Sequence, residues 1–497
     1  MKIENILRTI MKPAIIRRPH APRQPGRGER GVTMILVALA MVAIIAMAAL
    51  SIDVITLYLA REEAQRSADQ AALAAARVIS LSGITGDPGN VSSSWQAVCG
   101  APNYLASQVA ASVGQQDAVE GLAGTVTVTY SAGSSSSWVS DCSTLPAAFG
   151  VNPTVKVVLQ RPALPTFFSR IWGSPGSTVN VTATAEAFNP SNSGTVGPAI
   201  TPVQPRCVKP WIVPNLDPQK PNSSCTNANC SKIVDLGSGQ IMNPGVSLGG
   251  GNPTTGVIGE TFWISPDCVH NNSTCKLRQP QPQANYYPNN SGLYEAAPSL
   301  QYLPGETLYS STAVPSCSSG GSLYEKAIAG CDQSTIYQCG VQSMNTVDLA
   351  ENPGEFTNDT MNGVQCLTHQ SDPATTNAAT GQDTFASFGA PSPYPFQILA
   401  GTNNPLVSSG LAANTPVTSS TSVVSLPIYD QTVALRPNGT TSVTIVGFLQ
   451  VFINAADQAG NVSVTVLNVA GCGNGSSSTG TPVTGSSPVP VRLITPP

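Results

Sequence analysis

Residues 31–52 read GVTMILVALAMVAIIAMAALSI, and nothing in that run is charged or proline. As a helix rising about 1.5 Å per residue it spans about 33 Å, enough to cross a hydrocarbon core of about 30 Å. A secretory signal has a shorter apolar region, about 7–15 residues, followed by a small-residue cleavage site. The run is too long for that, and its helical pattern continues beyond it. Upstream, residues 1–30 carry Lys2, Arg8, Lys12, Arg17, Arg18, Arg23, Arg27 and Arg30 against Glu4 and Glu29. The other 467 residues hold 15 basic and 25 acidic groups, a net of −10. A basic block abutting an apolar span reads as a topology signal, not a nucleic-acid site. It predicts residues 1–30 in the cytoplasm and the rest outside.

The span runs on into DVITLYLAREEAQRSADQAALAAARVIS at 53–80, rich in strong helix formers. Ala60, Ala64, Ala68, Ala71, Ala75 and Val78 recur at steps of three and four and form one narrow face. That face is either a seam for a partner helix or a surface lying on the chain's own sheet. Asp53 falls where the span meets water, as a border residue or a partner contact. Gly83, Gly86 and Pro88 end the helix.

Beyond Pro88 the period changes. TVTVTY at 125–130, TVKVVLQ at 154–160 and TVNVTATAEAF at 178–188 alternate as half-buried strands do. With the preceding helix they predict an α+β unit, a long helix against a small antiparallel sheet. FNPSNSGTVGPAITPVQP at 188–205 reads as a linker. SVTIVGFLQVFI at 442–453 and NVSVTVLNVAG at 461–471, joined by DQAGN at 457–461, predict a hairpin. GNGSSSTGTPVTGSSP at 473–488 is low-complexity. The expected organisation is a basic leader (1–30), a transmembrane helix (31–59), an α+β domain (60–188), a linker (189–205), a loop-rich, mainly β, disulfide-bearing region (206–472) and a flexible tail (473–497).

All twelve cysteines lie beyond the span. Charged residues are only 10% of the chain, and Gly and Pro number 44 and 42. An even cysteine set in an exported, loop-rich chain predicts disulfides. Local pairs Cys225–Cys230 and Cys268–Cys275 are candidates, as is Cys99–Cys142, but spacing does not fix the connectivity. The rival reading is a zinc half-site at Cys225-x4-Cys230, with His270 near Cys268 and Cys275. Catalytic motifs are thin. Only His20, His270 and His369 exist, and there is no G-x-S-x-G, H-E-x-x-H or P-loop pattern. The expectation is no enzyme, no cofactor and no metal.

GERG at 28–31, the uninterrupted span, Asp53 and AREEAQRSADQAALAAA at 60–76 together resemble the TadE/TadG-like family of Flp pilus-assembly proteins, especially its TadG-like members. PTFFSRIWG at 165–173 and STVNVTATAEA at 177–187 resemble it too, with a weaker echo in VTIVGFLQVFINA at 443–455. The resemblance implies a bacterial inner-membrane protein, its partners the membrane and other pilus-assembly or envelope proteins, and no nucleic acid. The alternative is a membrane-tethered adhesin or carbohydrate-binding module. Two departures matter. Leu36 stands where a processed prepilin carries Glu, which predicts a retained leader. The Asp-x-Ser-x-Ser metal pattern of von Willebrand A domains is missing.

Overall fold

The computed structural model describes residues 29–83, 98–101, 104–133, 137–146, 148–164, 176–189, 203–217, 232–237, 239–243, 256–266, 299–304, 314–331, 344–348, 357–371, 380–387, 396–430, 440–457, 460–472, 481–483 and 487–494, with single positions at 85, 166, 173, 191 and 337. The fold is α+β. It divides into two compact units, Met1–Tyr58 with Pro165–Ser177, and Leu59–Leu164 with Thr178–Pro497.

In the first unit the helix α1 (Glu29–Leu81) presents its apolar side chains outward. Met34 is 77% exposed, Val42 66% and Ile45 62%. Soluble monomers rarely expose so continuous an apolar surface. The helix is long and apolar enough to cross a membrane.

In the second unit the character of α1 reverses, for Ala60, Ala64, Ala68, Ala71 and Ala75 are all fully buried. α1 ends at Leu81, and Gly83 follows in the left-handed conformation at φ 75°. A glycine is favoured there because a Cβ is penalised at positive φ, and a Cβ at Gly83 would also run into Ile258. Helix α2 (Leu105–Gln116) lies close to α1 at Gly114. A Cβ there would stand 2.9 Å from Val126 Cγ2 and 3.3 Å from Ala71 Cβ.

The three alternating runs form β1 (Thr125–Ala132), β2 (Pro153–Leu164) and β3 (Ser177–Ala187). β1 and β2 pair antiparallel from Thr125↔Gln160 to Ala132↔Pro153. β3 is the next strand, and the fourth comes from the far end of the chain.

Further along lie β4 (Val203–Pro205), β5 (Trp211–Pro214), β6 (Thr261–Pro266), β7 (Ser299–Pro304), α3 (Leu323–Ala329), β8 (Met344–Asp348) and α4 (Thr357–Thr368). They are followed by β9 (Thr384–Ser387), β10 (Phe396–Leu399), β11 (Pro416–Val417), β12 (Val423–Tyr429), β13 (Thr440–Ala456) and β14 (Val462–Gly471). β15 (Thr481–Val483) and β16 (Val491–Ile494) end the set.

The larger sheet runs β12-β5-β7-β6-β14-β13-β8, and β12 also pairs with β13. Six strands therefore close on themselves, with β8 continuing along β13. Closure removes the unpaired edges that an open sheet exposes. β13 and β14 form the expected hairpin. In its turn Asp457 Oδ1 accepts the Asn461 main-chain N–H at 2.9 Å. Every residue of β12 and β14 is buried, so these strands are covered on both faces. Ile212, Leu303, Tyr429, Ile445 and Phe448 share one core cluster with Cys472. β9, β10 and β11 make a separate three-stranded sheet.

Two expectations about the chain's later parts are corrected. The tail at 473–497 is not simply flexible, because residues 481–483 and 491–494 are strands. β15 pairs parallel with β4, and β16 pairs antiparallel with β3 from Val491↔Ala187 to Ile494↔Thr184. Low-complexity composition hid a short V-R-L-I run whose main chain completes the small sheet. The linker at 189–205 is likewise anchored at both ends, by buried Asn189 and Ser191 and by β4.

Candidate functional site

The residues singled out in the sequence fall in two places. Asp53, in the first unit, is 4% exposed and is engaged within the chain. Its carbonyl accepts Thr56 Oγ1 at 2.9 Å.

The alanine face is covered by the second unit's own elements. Ser67 Oγ donates to Gly114 O at 2.8 Å. Gln65 Nε2 donates to Thr182 O of β3 at 3.2 Å, and the Glu120 main-chain N–H donates to Glu63 Oε2 at 3.1 Å. Small side chains let helix and sheet approach closely over two turns.

Where α1 ends, a buried amide knot ties four distant segments together. Asn468 of β14 donates through Nδ2 to Ser80 O at 2.7 Å and to Thr85 Oγ1 at 3.0 Å. Asn189 Nδ2 donates to Val469 O at 2.9 Å, and its Oδ1 accepts the Ser191 N–H at 3.0 Å. Ser191 Oγ in turn accepts the Gly471 N–H. Ser80 Oγ donates to Val489 O at 2.9 Å, and Gln450 Nε2 to Ser487 Oγ at 2.7 Å. Further out, Arg492 pairs with Glu186 across β16 and β3. Buried polar groups are tolerable when each finds a partner. Here the partners come from the helix exit, the former linker, the hairpin and the tail.

Three disulfides staple the second unit: Cys99–Cys142, Cys207–Cys331 and Cys317–Cys366. Cys472 is also disulfide-bonded, and among the described residues no cysteine is free. Cys225, Cys230, Cys268, Cys275 and His270 lie outside the described residues. Beside the second staple, the fully buried amine of Lys209 donates to Ile328 O at 2.6 Å and Gly330 O at 2.7 Å, capping the C-terminus of α3. Burial pushes this amine down to about 7. At the barrel's flank Trp211 Nε1 donates to Tyr324 Oη at 3.1 Å, and Tyr302 Oη donates to Gly460 O at 3.2 Å. Burial raises the Tyr302 phenol to about 12 and that of Tyr324 well above its ordinary range. Among the described residues, no three His, Cys, Asp or Glu side chains are grouped to hold a metal.

Neither Asn189 nor Asn468 stands out in the sequence, because asparagine there reads as loop or strand filler. The only hint is an asparagine inside an otherwise apolar alternating run, VTVLNVA.

These features define a class: an α+β protein carried on one long helix whose first half is apolar and exposed and whose second half is built into a folded body. Residues 31–78, which lie within the helix that runs through both halves, match the family described as putative Flp pilus-assembly TadE/G-like. That is a pilus-assembly family and not an enzyme family. No curated protein and no solved structure matches the chain.

Proposed function

We propose that the chain is a membrane-anchored structural component of a Flp-type pilus or tight-adherence assembly, acting by scaffolding and protein–protein contact and without covalent chemistry. The observation that carries this reading is the coincidence of the family match at 31–78 with a helix that is apolar and exposed before Tyr58 and buries its alanine face after it. Such a helix joins an apolar anchor to a folded body in one continuous element. The basic residues before the span support an inner-membrane location with a cytoplasmic N-terminus and an extracytoplasmic body. The disulfide staples fit an oxidising compartment.

Deletion of the chain in its host tests the reading. Loss of surface pili, with rescue by the full-length chain and not by a chain lacking residues 31–58, is the expected result. Intact piliation with lost attachment to surfaces or glycans would instead favour the tethered adhesin. A periplasm-active reporter fused after residue 200 should be active and one fused at residue 25 silent, and the reverse would overturn the orientation.

A further inference from the structure

An open cleft of about 540 Å³ lies against the Cys317–Cys366 disulfide, lined by Glu325, Asn362, Gln365, His369, Gln370 and Asn403. Its walls are α3, α4 and the turns that follow α4 and β10. Three features set it apart from a surface irregularity.

The first is that the walls are fixed. The disulfide holds α4 against the turn at Ser316–Ser318. Gly363 lets α4 approach α3, for a Cβ there would stand 2.8 Å from Ile328 Cβ. Glu325 is 7% exposed, and its Oε1 accepts Ser318 Oγ at 2.7 Å.

The second is the backbone at His369. It sits just past α4 at φ 58°, where glycine is the ordinary residue. A non-glycine side chain is disfavoured in that conformation, and such outliers gather at functional sites. The turn is held by Gln370 N–H donating to Gln365 O at 3.0 Å and by Asn403 Nδ2 donating to His369 O at 2.8 Å. The result is an imidazole on the cleft wall.

The third is the chemistry of the lining. Four amides, one carboxylate and one imidazole supply both donors and acceptors. Gln365 Nε2 and Gln370 Oε1 are shielded from solvent without a hydrogen-bond partner, and a turn about either terminal amide torsion, which is soft, offers that atom to a ligand. Among the described residues no Lys or Arg lines the cleft, which disfavours an anion. A single carboxylate, already bonded to Ser318, falls short of the oxygen set a divalent cation needs. Among the described residues no aliphatic or aromatic side chain lines it to hold an apolar ligand. What remains is an uncharged molecule dense in hydroxyls, and the volume falls within the range of small-molecule sites.

We infer that this cleft binds a small uncharged carbohydrate of one or two pyranose rings, through the amides of Asn362, Gln365, Gln370 and Asn403 and the side chains of Glu325 and His369. The binding goes beyond the scaffold role and does not depend on it. With no aromatic platform for stacking among the described residues, affinity for a single ring falls in the millimolar range.

The test uses the full chain in a detergent without a sugar headgroup, with glucose, galactose, N-acetylglucosamine, maltose and chitobiose as probes. Saturation-transfer NMR and calorimetry should detect at least one of them. Gln365→Ala should weaken that binding about tenfold or more. Asn362 is exposed on the rim, so Asn362→Trp should block the cleft and abolish binding while the thermal midpoint stays unchanged. No binding of any probe at about 50 mM overturns the inference. So does binding that survives Asn362→Trp in a folded protein. Piliation is a separate readout, so its loss or retention in these variants does not bear on the cleft.

Discussion

Asn189 Nδ2 donates to Asn468 Oδ1 at 3.3 Å, although 279 positions separate the two residues. Both are fully buried, and both also bond Thr85, just past the end of α1. The far end of α1 is therefore tied into the folded body where the linker and the last hairpin meet, beside β14, every residue of which is buried.

Asn468→Ala should be strongly destabilising. It removes the donor to Ser80 O and the acceptor for the Asn189 amide inside a dry site, and each orphaned buried group costs about 1–3 kcal/mol. The expected fall is about 2–4 kcal/mol in chemical denaturation. A change within about 0.5 kcal/mol would mean the knot carries no weight.

The alanine face gives a second prediction. Ala71→Leu and Gly114→Leu force extra volume between α1, α2 and β1, and each should destabilise the body by about 1–3 kcal/mol. If the face instead served as a partner seam, both variants would keep the wild-type unfolding midpoint and lose a co-purifying protein.

How much of this was legible follows the kind of signal each element carries. The anchor was plain because a bilayer demands about 20 apolar residues in a row, and residues 31–52 supply them. β1, β2 and β3, and the β13–β14 hairpin, were plain because period-2 alternation and a turn at 457–461 are local. The closed barrel was not, since β5, β6 and β7 are four to six residues long and pair across wide sequence gaps. β16 was masked by the serine- and glycine-rich stretch before it. For the alanines, spacing gave the face without saying what covers it. The cleft could not be read at all, because its residues come from α3, α4 and Asn403 and meet only after folding.

The staples predict a clean redox result. Thiol labelling of the purified, unreduced chain should find essentially no reactive cysteine, since none is free among the described residues and an even set in an oxidising compartment pairs. Reduction should then expose all twelve and slow the band on a gel. Opening the Cys317–Cys366 loop by Cys317→Ser with Cys366→Ser should cost about 2–4 kcal/mol. Substantial labelling before reduction would contradict the exported, oxidised state.

Lys209 gives the pH dependence. Its unfolded amine titrates near 10.4, while burial brings the folded one down to about 7. Between those values the unfolded chain holds a proton that the folded chain has released, so stability rises with pH across that window. Below about 7 both states are protonated, and the full penalty of a buried ammonium is present. Lys209→Met removes the titration and keeps most of the packing. The gap in thermal midpoint, wild type minus variant, should therefore grow more favourable to the wild type from about pH 6.5 to about pH 9.5. The buried tyrosines titrate in both proteins alike and cancel in the difference. The opposing influence is the C-terminus of α3, whose carbonyls at Ile328 and Gly330 favour the charged amine. A gap that stays flat over the window would mean those two carbonyls hold the ammonium charged throughout, making Lys209 a permanent helix cap instead of a titrating group.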